Sequence, residues 1–227
     1  MNWLPDDFFI GHPAPPQSSP TRPLGQGDVF LEVPVAGRTG VRNGQPGLRA
    51  KLENVIVVGS SCGIRKEGGE LNDVIHVAPI KHLASMAPGW GPPWSGWLHV
   101  LPLPGLEING EGDWAANLAR IGLAGTDTLT AAHRVASVSQ QGMEALKARV
   151  ATYFVRADIP TTVLGVGAHE EWHELDLWER WVERTGAQDG FQQWLDEENP
   201  NYPGRRRRDT LYDDLAGVRQ QLDETTA

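Results

Sequence analysis

The sequence predicts an α+β protein: a small β-barrel capped by a helix and followed by a small helical appendage. Three observations predict it. Short β-like segments follow one another from Gly27 to Leu103, ended by glycine or proline. A helical period of apolar residues then appears behind Ser139. The last stretch carries tryptophans spaced for one helix face, at Trp172 and Trp178.

The elements can be justified in order. Residues 1–25 read as a proline-rich arm, with Phe8, Phe9 and Ile10 available to dock on the core or on a partner. Gly27 to Val33 alternates apolar and polar residues, as a half-buried strand does. Ala36 to Glu53 reads as a long loop rich in glycine and basic residues, with Arg38, Arg42, Arg49 and Lys51. Val55 to Val58 is a continuous β-branched core strand, and Gly59 to Gly63 a sharp loop. Val74 to Pro79 and Trp97 to Pro102 are strands, each ended by its proline, with an aromatic loop at Pro88 to Trp94 between them.

Asp113 is placed to cap a short helix through Trp114, Leu118 and Ile121. Ser139 is placed to cap a longer one, whose apolar stripe is Met143, Leu146, Val150 and Phe154. Ile159 to Gly167 reads as a linker or short strand. Beyond it Trp172, Leu175, Trp178 and Val182 share a helix face, and a polar helix over about Asp209 to Asp223 is anchored by Leu211, Leu215, Val218 and Leu222. The expected organisation is an arm over 1–25, a barrel with its helix over 26–158, and an acidic tryptophan-rich tail over 159–227.

Composition narrows the function classes. The sequence holds no apolar run of membrane-spanning length and no basic-then-apolar leader, so no membrane association is expected. Its one cysteine, Cys62, excludes an intrachain disulfide framework and fits a reducing, cytoplasmic setting. The net charge of −9 is uneven: residues 1–158 hold 13 Lys/Arg against 14 Asp/Glu, and the tail 7 against 15. Phosphate contacts dominate nucleic-acid affinity, so the acidic tail is not the expected binding surface. It can instead sit over a basic one, or simply keep a helical surface solvated.

Gly27-Asp28-Val29-Phe30, the basic stretch, the apolar strand ending in Gly59-Ser60-Ser61, the strand ending in Ala78-Pro79, and Arg134-Val135-Ala136-Ser137-Val138-Ser139 before a helix resemble the PemK/MazF-like family. The resemblance covers about residues 25 to 155. It implies an SH3-like barrel, usually dimeric, in a family whose best-known members cleave single-stranded RNA without metal or cofactor. Carried over by position, it makes Arg38 or Arg49 the phosphate-binding or proton-donating arginine. Ser60 or Ser61 becomes the hydroxyl that positions the reacting group. Leu52-Glu53-Asn54 departs from the family's Arg-Pro pair and adds an acid near that site. A plainer reading also stands, with the arginines solvated and the serines capping a turn.

The tail adds two motifs. Phe191 to Asn201, followed by Gly204-Arg205 and Leu211, resembles the toxin-binding domain of Xre/MbcA/ParS-type antitoxins, and implies a protein partner through the tryptophan-rich tail. Arg205 to Arg208, beside Asp209, Asp213 and Asp214, are expected in surface ion pairs. His169-Glu170-Glu171-Trp172-His173 fits H-E-x-x-H, whose histidines share a helix face and can hold zinc. Gly165 and Gly167 would leave both histidines in a frayed first turn, and the third ligand would have to be Glu174, Glu179 or Glu183. No metal is therefore the expectation, with His169, His173 and Glu179 as the alternative. Cys62 lies before Arg65 and Lys66 in the chain, where an activated or an idle thiol are both open.

The expected function is a toxin–antitoxin-like or phage-associated factor acting on single-stranded RNA by metal-independent cleavage or binding, with a regulatory tail. The alternatives are a non-catalytic interaction module on the same barrel, and a zinc hydrolase.

Overall fold

The structure is a computed structural model describing residues 7–10, 21–42, 45–66, 69–86, 98–155 and 161–226, without the side chains of 38–49, 61, 155 and 161–168. Strands β1 (Val29–Arg42) and β2 (Gln45–Val57) form an antiparallel hairpin, with Val29 opposite Ile56 and Gly37 opposite Arg49. Apart from residues 43 and 44, which lie outside the described residues, the expected loop over Ala36 to Glu53 is therefore strand. Its glycines and arginines hide the β period, and pairing along the hairpin supplies what local propensity does not.

β3 (Val74–His82) pairs with β2, and β6 (Gly122–Gly125) pairs with both β3 and β1, closing a four-strand antiparallel barrel. β5 (Trp114–Asn117) extends the sheet from β3, β4 (Val100–Leu103) follows as its edge, and β7 (Arg134–Ala136) joins β1. β6 lies so close to β1 that a Cβ on Gly122 would stand 2.4 Å from Val35 Cγ1 and 3.0 Å from the Ala36 carbonyl oxygen. Only glycine fits there.

The expected helix through Trp114 and Ile121 is a correction. Trp114 to Asn117 is strand, Leu118–Arg120 is a 3₁₀ turn capped by Asn117 (Ala119 N donates to Oδ1, 3.1 Å), and β6 follows. The three apolar residues do fall at helical spacing, but Ala115 and Ala116 between them are buried in the sheet. Pro79 and Pro102 also lie inside strands rather than ending them. β4 is an edge strand, and Pro79 sits where β3 passes from pairing β2 to pairing β5, positions that spare a proline the ladder donor it lacks.

Two cores flank the barrel wall. Phe30, Val33, Val55, Val57, Ile75 and Val77 fill its interior. Val29, Ile56, Ala78, Ile80 and Leu101 face outward under helix α3 (Gln140–Val155), meeting Met143 and Leu146. Burial on both faces explains why Val55 to Val58 reads as unbroken apolar sequence. Ser139 caps α3 as expected, accepting from Gly142 N at 3.0 Å. Of the predicted stripe, Met143 and Leu146 are fully buried while Phe154 is 60% exposed. Phe8 and Phe9 dock on this core, with Ser139 N donating to the Phe8 carbonyl and Ile10 N to that of Ser137.

The short helix α1 (Ser61–Ile64) follows β2, and α2 (Leu83–Met86) follows β3. The appendage is helical: α4 (Thr161–Thr185), α5 (Phe191–Asp196) and α6 (Leu215–Thr225). α4 begins at Thr161, so most of the expected linker over Ile159 to Gly167 is helix; its glycines lower propensity without preventing a long helix anchored by packing. The last helix starts later than Asp209, at Leu215, capped by the Asp214 carboxylate accepting from Gly217 N at 3.0 Å. Leu177, Trp178, Phe191, Trp194, Leu211, Val218 and Leu222 form its own core. Leu175 reaches the barrel's outer core, and Glu179 pairs with Arg22 at 3.1 Å, so the appendage packs on the barrel.

Candidate functional sites on the barrel

The β1–β2 hairpin is longer than the barrel wall. β6 pairs with β1 only at Val35 and Ala36; beyond that, among the described residues, Gly37 to Arg42 pair with Gln45 to Arg49. A two-stranded ribbon carrying Arg38, Arg42 and Arg49 thus continues past the closed ring. Arg49 stands opposite Gly37 and Arg38 opposite Leu48, so the two expected arginines are neighbours in the ladder.

Ser60 and Ser61 lie at the other end of the same hairpin, after Val57 and into α1. The eight residue steps from Arg49 to Val57 span roughly 26 Å of strand. Within one chain the structure brings the arginines together and leaves the serines apart from them. Ser60 is exposed, and its hydroxyl contacts the free, exposed Cys62 thiol at 3.2 Å. No basic group completes a nucleophilic arrangement there among the described contacts.

The two outer motifs of the family resemblance do meet. Asp28 is buried and accepts from Arg134 Nη1 at 2.9 Å, Ser137 Oγ at 2.6 Å and Gly25 N at 2.9 Å. Arg134 Nη1 also donates to the Pro23 carbonyl at 3.2 Å. This network ties the start of β1 to β7 and to the segment before the barrel. Its role is structural.

An open cleft of about 360 Å³ lies beside the barrel, lined by Glu32, Leu52, Glu53, Ile80, Lys81, His82 and Trp114, among others. Glu53 is buried there and contacts both Lys51 Nζ (3.0 Å) and Lys81 Nζ. Burial alone would raise its pKa, but hydrogen bonds and charge from Lys81 and Lys51 outweigh this and hold the carboxyl below its ordinary value. His82 stacks on Trp114 at 3.8 Å between ring centroids, and its Nε2 meets Glu111 Oε2 at 3.1 Å. Sequence reasoning noticed only Glu53 here. The cleft gathers side chains from β2, β3 and β5, and no local spacing announces it.

His169 and His173 lie in the third and fourth turns of α4, not in a frayed first turn. Their rings are 4.1 Å apart, and the Nδ1 atoms of both are buried without a hydrogen-bond partner. Burial, with the charges of His169 and Arg219, lowers the His173 pKa to about 4, against a weaker upward pull from Asp176. Glu179, the alternative third ligand, is taken by Arg22. Among the described residues no group of three metal-ligating side chains assembles.

Basic side chains elsewhere are largely matched within the chain. Lys147 pairs with Glu171, and Arg219 with Asp176. Arg65 lies over the Trp178 ring at 4.2 Å, and burial pushes its pKa down to about 10. Arg205, Arg206, Arg207 and Arg208 pair with Asp213, Asp209, Glu197 and Asp196, as expected of that run. Trp178 and Trp194 are buried against Phe191, so these tail tryptophans hold the appendage together. No helix among the described residues is long and apolar enough to cross a membrane.

No protein-family model matches this chain, and no curated protein matches it in sequence.

Proposed function

We propose that this chain acts on single-stranded RNA in the cytoplasm, as a toxin–antitoxin-like or phage-associated factor that holds the strand on its β1–β2 ribbon without metal or cofactor. One observation carries the reading: Arg38, Arg42 and Arg49 are concentrated on a ribbon past the closed barrel, while basic groups elsewhere are largely matched by the chain's own carboxylates. Cationic side chains brought together on one ribbon displace the counterions of a phosphate backbone. The resemblance to PemK/MazF-like proteins supports the same reading and adds a homodimer as its expected form. In it, Arg38 and Arg49 stabilise the phosphate, and Ser60 or Ser61 positions the reacting group.

The test is incubation of the full chain with mixed single-stranded RNA in EDTA. Salt-dependent binding is expected, and Arg38→Ala with Arg49→Ala should flatten its slope against log salt by about 1.4, some 0.7 per lost phosphate contact on a single strand. Cleavage leaving 2′,3′-cyclic phosphate ends would extend binding to catalysis. Absence of binding at low salt would end the RNA reading.

A second reading, a non-catalytic protein-interaction module, is favoured by the separation of the arginines from Ser60 and Ser61 along the hairpin. It predicts RNA left intact and a protein partner that competes for the barrel or for the tail.

A further inference from the structure

The cleft beside the barrel has a different charge character from the ribbon. Three carboxylates, Glu32, Glu53 and Glu111, stand at or beside it, against the ammonium groups of Lys51 and Lys81. Both lysines turn onto Glu53, and Glu111 is engaged with His82. Glu32 has no ion-pair partner among the described residues. Its backbone, at φ 53, is fixed by the Asn54 side chain, whose Oδ1 accepts from Glu32 N at 3.2 Å. Leu52, 63% exposed, gives an apolar wall above the buried Ile80, and the His82 ring, stacked over the buried Trp114 indole, gives a flat aromatic one.

A phosphate would meet the Glu32 carboxylate, with Lys51 and Lys81 already turned onto Glu53. A cation on an apolar stem would meet a carboxylate, an aromatic face and an aliphatic wall together. We infer that the cleft is a binding site for a guanidinium or ammonium group carried on a short aliphatic chain, with Glu32 as its counter-charge. The cleft uses residues other than the arginines of the ribbon, and the inference does not depend on the RNA reading. The ligand chemistry is shared by a free amine and by an arginine or lysine side chain of a partner protein.

Calorimetric titration of the full chain at low salt tests it, using agmatine, the peptide Gly-Arg-Gly-amide, and butylurea as the uncharged control. Agmatine or the peptide should bind and butylurea should not. Binding of both charged probes assigns the site to the cationic group itself, and binding of the peptide alone assigns it to a partner's side chain. Glu32→Gln removes the charge from an exposed residue and should weaken binding roughly two- to fivefold, the range of an exposed ion pair. Glu32→Lys should abolish it. The indole N–H resonance of Trp114, assigned with Trp114→Phe, should shift on binding and so locate the ligand. Three results would overturn the inference: no heat with either charged probe at millimolar concentration, equal binding by butylurea, or unchanged affinity in Glu32→Gln.

Discussion

The barrel and the helical appendage use charge in opposite ways. The barrel encloses one fully buried ion pair, Asp28 with Arg134, whose side chains are 2% and 3% exposed and which is saturated by hydrogen bonds from Ser137 and Gly25. The appendage has a small aromatic core under a mesh of solvent-facing pairs, with Arg205 to Arg208 meeting five carboxylates. Counting ion pairs would make the appendage the better-held region. Burial reverses that ranking: removing one partner of a buried pair strands a charge in low dielectric, while an exposed pair trades protein contacts for water at little net cost.

Breaking the buried pair should have the largest effect. Asp28→Ala leaves the Arg134 guanidinium enclosed without its carboxylate and should destabilise the fold by about 3–5 kcal/mol, read by urea denaturation. A loss below about 1 kcal/mol would place this pair with the surface ones and erase the contrast.

Among its described residues the appendage buries the titratable group of His173, and acid should find it next. His173 is 6% exposed on α4, facing His169, Arg219 and Asp176, with a folded pKa of about 4 against an ordinary 6.5. The unfolded chain therefore takes up the proton first. The stabilisation is complete above pH 6.5 and drains away as pH falls towards 4, a loss on the order of 2–3 kcal/mol. Denaturation midpoints measured across that window should fall in the parent protein and flatten in His173→Gln. Parallel slopes in the two proteins would remove His173 as the cause.

The smallest effect belongs to the exposed mesh. Arg206→Ala should barely move the urea denaturation midpoint, and high salt should reproduce much of that small loss in the parent. A large, salt-insensitive fall in the midpoint would mean that the arginine run, rather than Trp178, Phe191 and Trp194, holds the appendage.

Part of this was legible beforehand. The strands at Gly27 to Val33 and Val55 to Val58 declare themselves because alternation or unbroken β-branching survives in a short window. Ser139 declares the start of α3 because capping is a local contact. The amphipathic faces of α4 and α6 are equally local, and their anchors are the residues the core uses. β5 and β6 were not legible: Ala115, Ala116 and Ala124 carry no β signal, and only their neighbours in the sheet make them strands. The hairpin over Ala36 to Glu53 was hidden for the same reason. For the sites, sequence named the arginines of the ribbon but also Ser60 and Ser61, which a resemblance aligned and the hairpin register separates. It did not point to the cleft, whose Lys81 and His82 come from β3, Trp114 from β5 and Glu111 from the segment between β4 and β5.

The sequence by itself determined the α+β class, the small barrel before its helix, and an acidic helical end, because each rests on periodicity, caps and charge within a few residues. The tertiary structure decided which strands close the ring, that Asp28 meets Arg134, and which groups share the cleft. Those contacts join residues up to about a hundred positions apart, and pairing across such distances is set by the fit of whole faces, which no local stretch of chain encodes.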